Sequence, residues 1–148
     1  MNIDVSKWDR RYLELAQHIA RWSRDPSTKV GAIIVNPHDK RVVSMGFNGF
    51  PRSIYDDEER YLNREIKYAL IAHAERNALD QAEMPVHGYW MYCTLCPCSE
   101  CAKSIIQRGI QRVVCPIPTK EQEHRWGQSF TWTQRMFEEA GVTLVWNP

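Results

Sequence analysis

Apolar positions along this chain repeat with two different periods, and the switches between them mark out its elements. Over residues 5–24, Trp8, Tyr12, Leu15, Ala16, Ile19 and Ala20 recur at helical spacing and predict an amphipathic helix. Asp25-Pro26 ends it, because proline disfavours helical geometry in the residue before it. Residues 28–36 carry Val30, Ile33, Ile34 and Val35, a β-branched run that predicts a strand. Pro37-His38-Asp39-Lys40 predicts a turn with His38 exposed, and residues 41–46 predict the partner strand of a hairpin. Gly46-Phe47-Asn48-Gly49-Phe50-Pro51 then breaks the pattern. Two glycines and a proline around an asparagine predict a tight loop. That loop is either a plain turn or a place where the Asn48 amide holds a sugar hydroxyl or a base edge.

Residues 52–68 are polar, charged and aromatic, with Asp56-Asp57-Glu58-Glu59 reading as a solvated run. The segment resembles an insertion that could act as a lid, a regulatory loop or a subunit contact. An apolar run at 69–72 leads into a helical stretch at 75–81. A loop at 83–88, a strand at 89–94, a helix at 99–108 closed by Gly109, and a strand at 110–115 follow. Residues 116–128 read as a charged loop. Phe130, Thr133, Met136 and Phe137 space a helix over 129–140 that Gly141 ends, and 142–146 form a last strand. The alternation predicts an α/β domain: a mixed five-stranded sheet with helices on both faces, formed by residues 1–148 as one unit.

Composition narrows the functional classes. The chain has 148 residues, 25% charged, and a net charge of +1 with acids and bases interspersed, so no basic block suggests a stable nucleic-acid partner. No apolar run reaches membrane-spanning length, so no membrane partner is expected. Met1-Asn2-Ile3-Asp4 does not read as a signal peptide. Of five cysteines, four lie between Cys93 and Cys101, which suits metal chemistry in a reducing cytoplasm better than a disulfide framework. Six tryptophans are either core or an oligomer interface.

The candidate chemistry lies in two short stretches, His73-Ala74-Glu75 and Pro97-Cys98-Ser99-Glu100-Cys101. Together they read H-x-E followed by P-C-x-x-C, a signature of zinc nucleobase deaminases. Hydrolytic deamination must add a hydroxide to a ring carbon and release ammonia, and neutral water is a poor nucleophile. Zn²⁺ with three protein ligands and an open position lowers the pKa of a bound water to about 7. His73, Cys98 and Cys101 are the expected ligands, and Glu75 the expected proton carrier. His73 and Glu75 are placed in the first turn of one helix and Pro97-Cys98 at the start of another, where the partial positive charge favours thiolate and carboxylate. The competing arrangement is a structural four-cysteine site that adds the second C-x-x-C, Cys93 and Cys96; core or near-site roles suit these two and Cys115 better.

With these residues in hand, the chain resembles the cytidine deaminase superfamily, and within it the deoxycytidylate deaminases, from about Asp25 to Val145. Asp25-Pro26-Ser27-Thr28-Lys29-Val30-Gly31-Ala32 is similar to that group's D-P-S-x-K-V-G-A segment, and Gly46-Phe47-Asn48-Gly49-Phe50-Pro51 to its G-Y-N-G-x-P loop. Cys101-Ala102-Lys103 with Ile105-Ile106 and Gly109-Ile110 resembles its C-A-K-x-I-x-x-x-G-I helix. The resemblance implies the three-layer cytidine-deaminase-like fold and conversion of dCMP to dUMP and ammonia for thymidylate synthesis. It implies a homohexamer activated by dCTP and inhibited by dTTP, with Mg²⁺ accompanying the effector. Substrate contacts are expected at Asn48, Ala74, Ser27, Arg24 and Arg125, and effector contacts at Asn48, Gly49, Lys29 and Arg52. After the fourth strand the family's tyrosine-containing segment is replaced by Cys115-Pro116-Ile117-Pro118-Thr119. His124, Arg125 and Trp126 either take over its contacts or form a surface loop. The same chemistry on another nucleoside, a nucleobase or tRNA adenosine is the alternative enzyme class, and a non-catalytic zinc nucleotide-binding module the alternative outside catalysis.

Overall fold

The computed structural model of the protein describes residues 5–148; residues 1–4, the stretch read for a signal peptide, lie outside the described residues. The elements run α1 (Val5–Ala20), β1 (Gly31–Val35), β2 (Val42–Phe47), α2 (Glu58–Leu62), α3 (Arg64–Leu70) and α4 (Ala74–Gln81). There follow β3 (Trp90–Cys93), α5 (Ser99–Gln107), β4 (Arg112–Pro116), α6 (Lys120–Ala140) and β5 (Thr143–Asn147). The strands form one mixed sheet in the order β2-β1-β3-β4-β5. β1 pairs antiparallel with β2 and β3, while β3–β4 and β4–β5 are parallel. This is the α/β architecture the alternation predicts, with helices on both faces.

Each face has its own core. On one, Tyr12, Leu13, Ala16 and Ile19 of α1 pack on Ile33, Val35, Tyr92 and Val114. Leu13, not Leu15, therefore faces the sheet; Leu15 is one of the exposed large side chains. On the other face, Ala32, Ile34, Met91, Val113 and Cys115 meet Ala78 and Leu79 of α4, Ala102 and Ile105 of α5, and Phe130 and Phe137 of α6. A buried ion pair locks α1 to the sheet: Arg112 donates to both Asp9 oxygens at 2.7 and 2.8 Å, and the Tyr92 hydroxyl donates to Asp9 at 2.6 Å.

Two glycines set how closely the layers approach. A Cβ on Gly46 would stand 2.5 Å from the Ala78 nitrogen and 2.6 Å from the Ala74 carbonyl oxygen. A Cβ on Gly31 would run into the Ala16 carbonyl. A side chain at Gly46 would therefore push α4 off β2.

The chain departs from expectation in three places. The first helix stops at Ala20 and the first strand starts only at Gly31, because residues 23–30 form loops that hydrogen-bond the Asn48 segment. The expected insertion at 52–68 folds into α2 and most of α3, the latter capped by Asn63, whose side chain accepts from the Ile66 amide at 3.2 Å. The expected charged loop at 116–128 is largely helix: α6 begins at Lys120 on a capping box in which Thr119 and Gln122 exchange side-chain and backbone bonds.

Candidate metal centre

His73 and Cys98 occupy equivalent places, each the extended N-cap residue of a helix, α4 and α5. In an N-cap the side chain turns back over the first turn, where unpaired amides carry partial positive charge. The Cys98 sulfur accepts there from the Cys101 amide at 3.5 Å. The two helix starts converge, so His73 Nδ1 lies 3.2 Å from Cys101 Sγ and 3.5 Å from Cys98 Sγ. Among the described residues this is the one group of three or more metal-ligating side chains whose donor atoms all lie within 4.8 Å of each other.

The donor set suits zinc. One imidazole and two thiolates with no fourth protein donor is the composition of a catalytic rather than a closed structural site. The Cys98 thiol is lowered to about 4 by the Cys101 hydrogen bond and then His73, against burial. Among the described residues Cys93 and Cys96 do not join this group, so the four-cysteine alternative does not form. Cys93 is buried in β3, and burial raises its thiol well above the ordinary range.

Glu75, in the first turn of α4, stands outside the donor group. It is 4% exposed, and burial raises its carboxyl to about 6, with the charge of His73 opposing. A carboxyl so placed exchanges a proton readily near neutrality. α6 braces the site from behind: the Thr133 hydroxyl donates to the Pro97 carbonyl at 2.8 Å, and the Ser129 hydroxyl accepts from the Ser99 amide at 2.8 Å.

His73, Glu75 and Cys98 open into a cavity of about 140 Å³. Its walls bring in the loop residues Asp25, Thr28 and Asn48, then Lys67 and Tyr68 of α3, and Arg125, Trp126 and Phe130 of α6. Asn48 faces this space, yet its amide is already engaged: Oδ1 accepts from the Val30 amide at 2.8 Å, and Nδ2 donates to the Thr28 carbonyl at 2.9 Å. Ala74 lines the cavity and is fully buried.

The other expected contacts lie elsewhere. Ser27 binds the Asp25 carboxylate and accepts from Lys67 at 2.9 Å, outside the lining. Arg24 is exposed and pairs with Asp56 at 3.3 Å, so the acidic run at 56–59 is not wholly solvated. Lys29 donates to the Ser23 carbonyl, and Gly49 and Arg52 line a separate open groove of about 690 Å³ with Asn77 and Asp80. Of the three residues singled out after the fourth strand, Arg125 and Trp126 reach the cavity, on a helix rather than a loop.

Sequence reasoning missed Lys67 and Tyr68. Lys67 pairs with Asp25 at 2.8 Å, the two side chains 12% and 2% exposed. Burial alone would raise the Asp25 carboxyl, but Lys67 and the amides of Ser27 and Thr28 outweigh it and hold it below the ordinary carboxylate range. Helical spacing after Asn63 could have placed Lys67 on a helix; nothing local in the sequence points to its distant partner.

Comparison with known proteins agrees with this geometry. Residues 6–117 match the family model described as the cytidine and deoxycytidylate deaminase zinc-binding region, a stretch that holds all three donors and Glu75. The chain is 42% identical over 97% of its length to an uncharacterized deaminase encoded in the luxG 3′ region of Aliivibrio fischeri, covering 96% of that protein. It is 35% identical over 95% of its length to the deoxycytidylate deaminase of Homo sapiens, covering 80% of that protein. Its fold superposes on the crystal structure of the dCMP deaminase of cyanophage S-TIM5 with a TM-score of 0.73 at 23% identity, covering 99% of this chain and 100% of that one.

Proposed function

The chain belongs to the cytidine and deoxycytidylate deaminases, and on that premise we propose that it hydrolyses dCMP to dUMP and ammonia with the aid of zinc. The observation that carries this reading is the placement of the buried Glu75 carboxyl in the same cavity lining as His73 and Cys98 of the His73–Cys98–Cys101 group. Similarity to deoxycytidylate deaminases over 95% of the chain supports the choice of substrate.

His73, Cys98 and Cys101 would hold the metal. When bound, zinc supplies a Lewis acid that brings the pKa of a water to about 7. Glu75 takes one proton from the attacking water and delivers it to the ring nitrogen, then takes the second from the added hydroxyl and passes it to the departing amine. Water oxygen is added to the ring carbon and ammonia leaves. Leu95, Trp126 and Phe130 form the apolar wall against which the base packs and from which bulk water is excluded.

The regulatory part of the reading is dCTP as activator, dTTP as inhibitor, Mg²⁺ with the effector, and a homohexamer supplying dUMP for thymidylate in the cytoplasm. The segment after β2 supports it, because Gly49 and Arg52 border the second groove, which has room for a nucleotide outside the cavity. Among the described residues no helix is long and apolar enough to cross a membrane.

The direct test is the spectral change from dCMP to dUMP on zinc-loaded protein, with and without a chelator. Turnover abolished by zinc removal and restored by its return supports the proposal. Turnover that survives complete zinc removal overturns it.

A further inference from the structure

Two faces of the molecule leave apolar side chains without cover, and neither set lines the cavity. The first face lies along β2, the edge strand of the sheet. Met45 pairs with Ile33 and Phe47 with Gly31, residues that face α1, so Met45 and Phe47 stand on the α1 side of the sheet. Trp22, just past the end of α1, covers them only in part. Its ring meets Phe47 edge-on at 6.2 Å and is itself 49% exposed. Leu15, Met45 and Phe47 are exposed as well. A bare edge strand with apolar side chains invites pairing with other chains, and proteins ordinarily cover it or charge it. The second face is the α2–α3 segment, which the sequence left open as a lid, a regulatory loop or a subunit contact. None of the α3 residues is buried, and Leu62 and Ile66 are both exposed, the former at 68%.

The two faces carry opposite charge. Beside the first, α1 and the turn after it expose Arg10, Arg11 and Arg21, while Glu14 is the one exposed acid of α1. Arg11 lies 4.9 Å above the Trp8 ring, and Arg21 is hydrogen-bonded to His18 at 2.6 Å. Among the described residues none of these three arginines pairs with a carboxylate. Asp57, Glu58 and Glu59, at the start of α2, are all exposed and, among the described residues, have no basic partner. The faces adjoin: the Arg24–Asp56 ion pair at 3.3 Å ties the chain just after Trp22 to the residue just before that acidic run.

We propose that a second copy of this chain docks across both faces about a two-fold axis, each copy laying its α1–β2 face on the α2–α3 face of the other. A two-fold contact is self-complementary, so each basic face meets an acidic one and all four apolar surfaces are covered together. Packing α1 on α1 would instead set arginine against arginine. A nucleic acid would suit the arginines but be repelled by the acidic run at their border. A second copy satisfies both, because this chain carries both halves of the match. Trp22 is the central anchor, an aromatic side chain of the kind that dominates interface energies. The proposal fixes one surface of the homo-oligomer and depends neither on the number of copies nor on the deaminase reading.

The test is the mass of the full chain in solution, zinc-loaded, by light scattering and sedimentation. Wild type is compared with Arg11→Glu/Arg21→Glu and with Glu58→Arg/Glu59→Arg. Wild type is expected as an even-numbered assembly. Each variant sets like charges across the contact, which should raise the dissociation constant about 100-fold and cut the mass to half or less. A one-to-one mixture of the two variants brings opposite charges together again and should regain the wild-type mass. Circular dichroism establishes the fold of each variant before mixing. Trp22→Ser, a surface change that leaves every charge in place, should also dissociate and stands in for a variant that fails to fold. A monomeric wild type, folded variants that keep the wild-type mass, or a mixture of folded variants that stays dissociated overturns the proposal.

Discussion

The Thr133 hydroxyl donates a buried 2.8 Å hydrogen bond to the carbonyl of Pro97, the residue immediately before the metal-ligating N-cap Cys98. Through this bond α6, which shares no ligand with the site, fixes the angle at which α5 begins. A Thr133→Val variant keeps the volume and leaves the Pro97 carbonyl without its partner. It should lose about 1–3 kcal/mol of stability. It should also release zinc to a competing chelator faster than wild type. Denaturant unfolding and a chelator-exchange assay read the two effects separately.

Glu75 lies outside the donor group, and its role as proton carrier separates chemistry from metal binding. Glu75→Gln should retain a full complement of zinc and lose about 10²- to 10⁴-fold in turnover. Cys98→Ala, which removes a thiolate donor, should lose zinc and turnover together. Metal analysis of both variants beside their rates decides the assignment; a Glu75→Gln protein stripped of zinc would make that carboxylate a ligand.

The Asp25–Lys67 pair makes part of the stability acid-sensitive. The folded Asp25 carboxyl sits below its ordinary value of 3.8. A depressed carboxyl contributes stability that is fully present above the unfolded pKa and lost as pH falls through the folded one. Stability should therefore decline as pH drops below about 4. Asp25→Asn should be less stable than wild type at neutral pH and show a shallower acid decline. Urea unfolding from pH 7 to pH 3 measures both; parallel curves for the two proteins would contradict the assignment.

Close contact between β2 and α4 at Gly46 leaves no room for a methyl group. Gly46→Ala should cost about 1–3 kcal/mol and shift the start of α4, on which His73 and Glu75 sit. Thermal unfolding together with residual activity tests this: a variant with wild-type stability and full turnover would show that the contact can relax without cost.

What the sequence revealed and what it hid follow from the range of the interactions. His73, Cys98 and Cys101 were legible because ligands at helix starts follow a short local pattern, and the β-branched runs at 30–35 and 110–115 marked buried strands. The start of α6 was hidden because Pro116, Pro118 and the charges after them resemble a loop; the Thr119–Gln122 capping box was the local signal that a helix begins there. The asparagine loop was legible as a tight turn, but the amide of Asn48 is engaged by Val30 and Thr28, contacts that no local pattern shows. Lys67 looked like one charge among many in a polar stretch, because its significance depends on Asp25, brought beside it only by the fold.

The central claim is tested most directly by ammonia release from dCMP, deoxycytidine and dCTP in parallel on the zinc-loaded protein, with and without dTTP. The account predicts rapid release from dCMP, far slower release from deoxycytidine, and suppression by dTTP. Equal release from dCMP and deoxycytidine, or none from dCMP while zinc is bound, would contradict it.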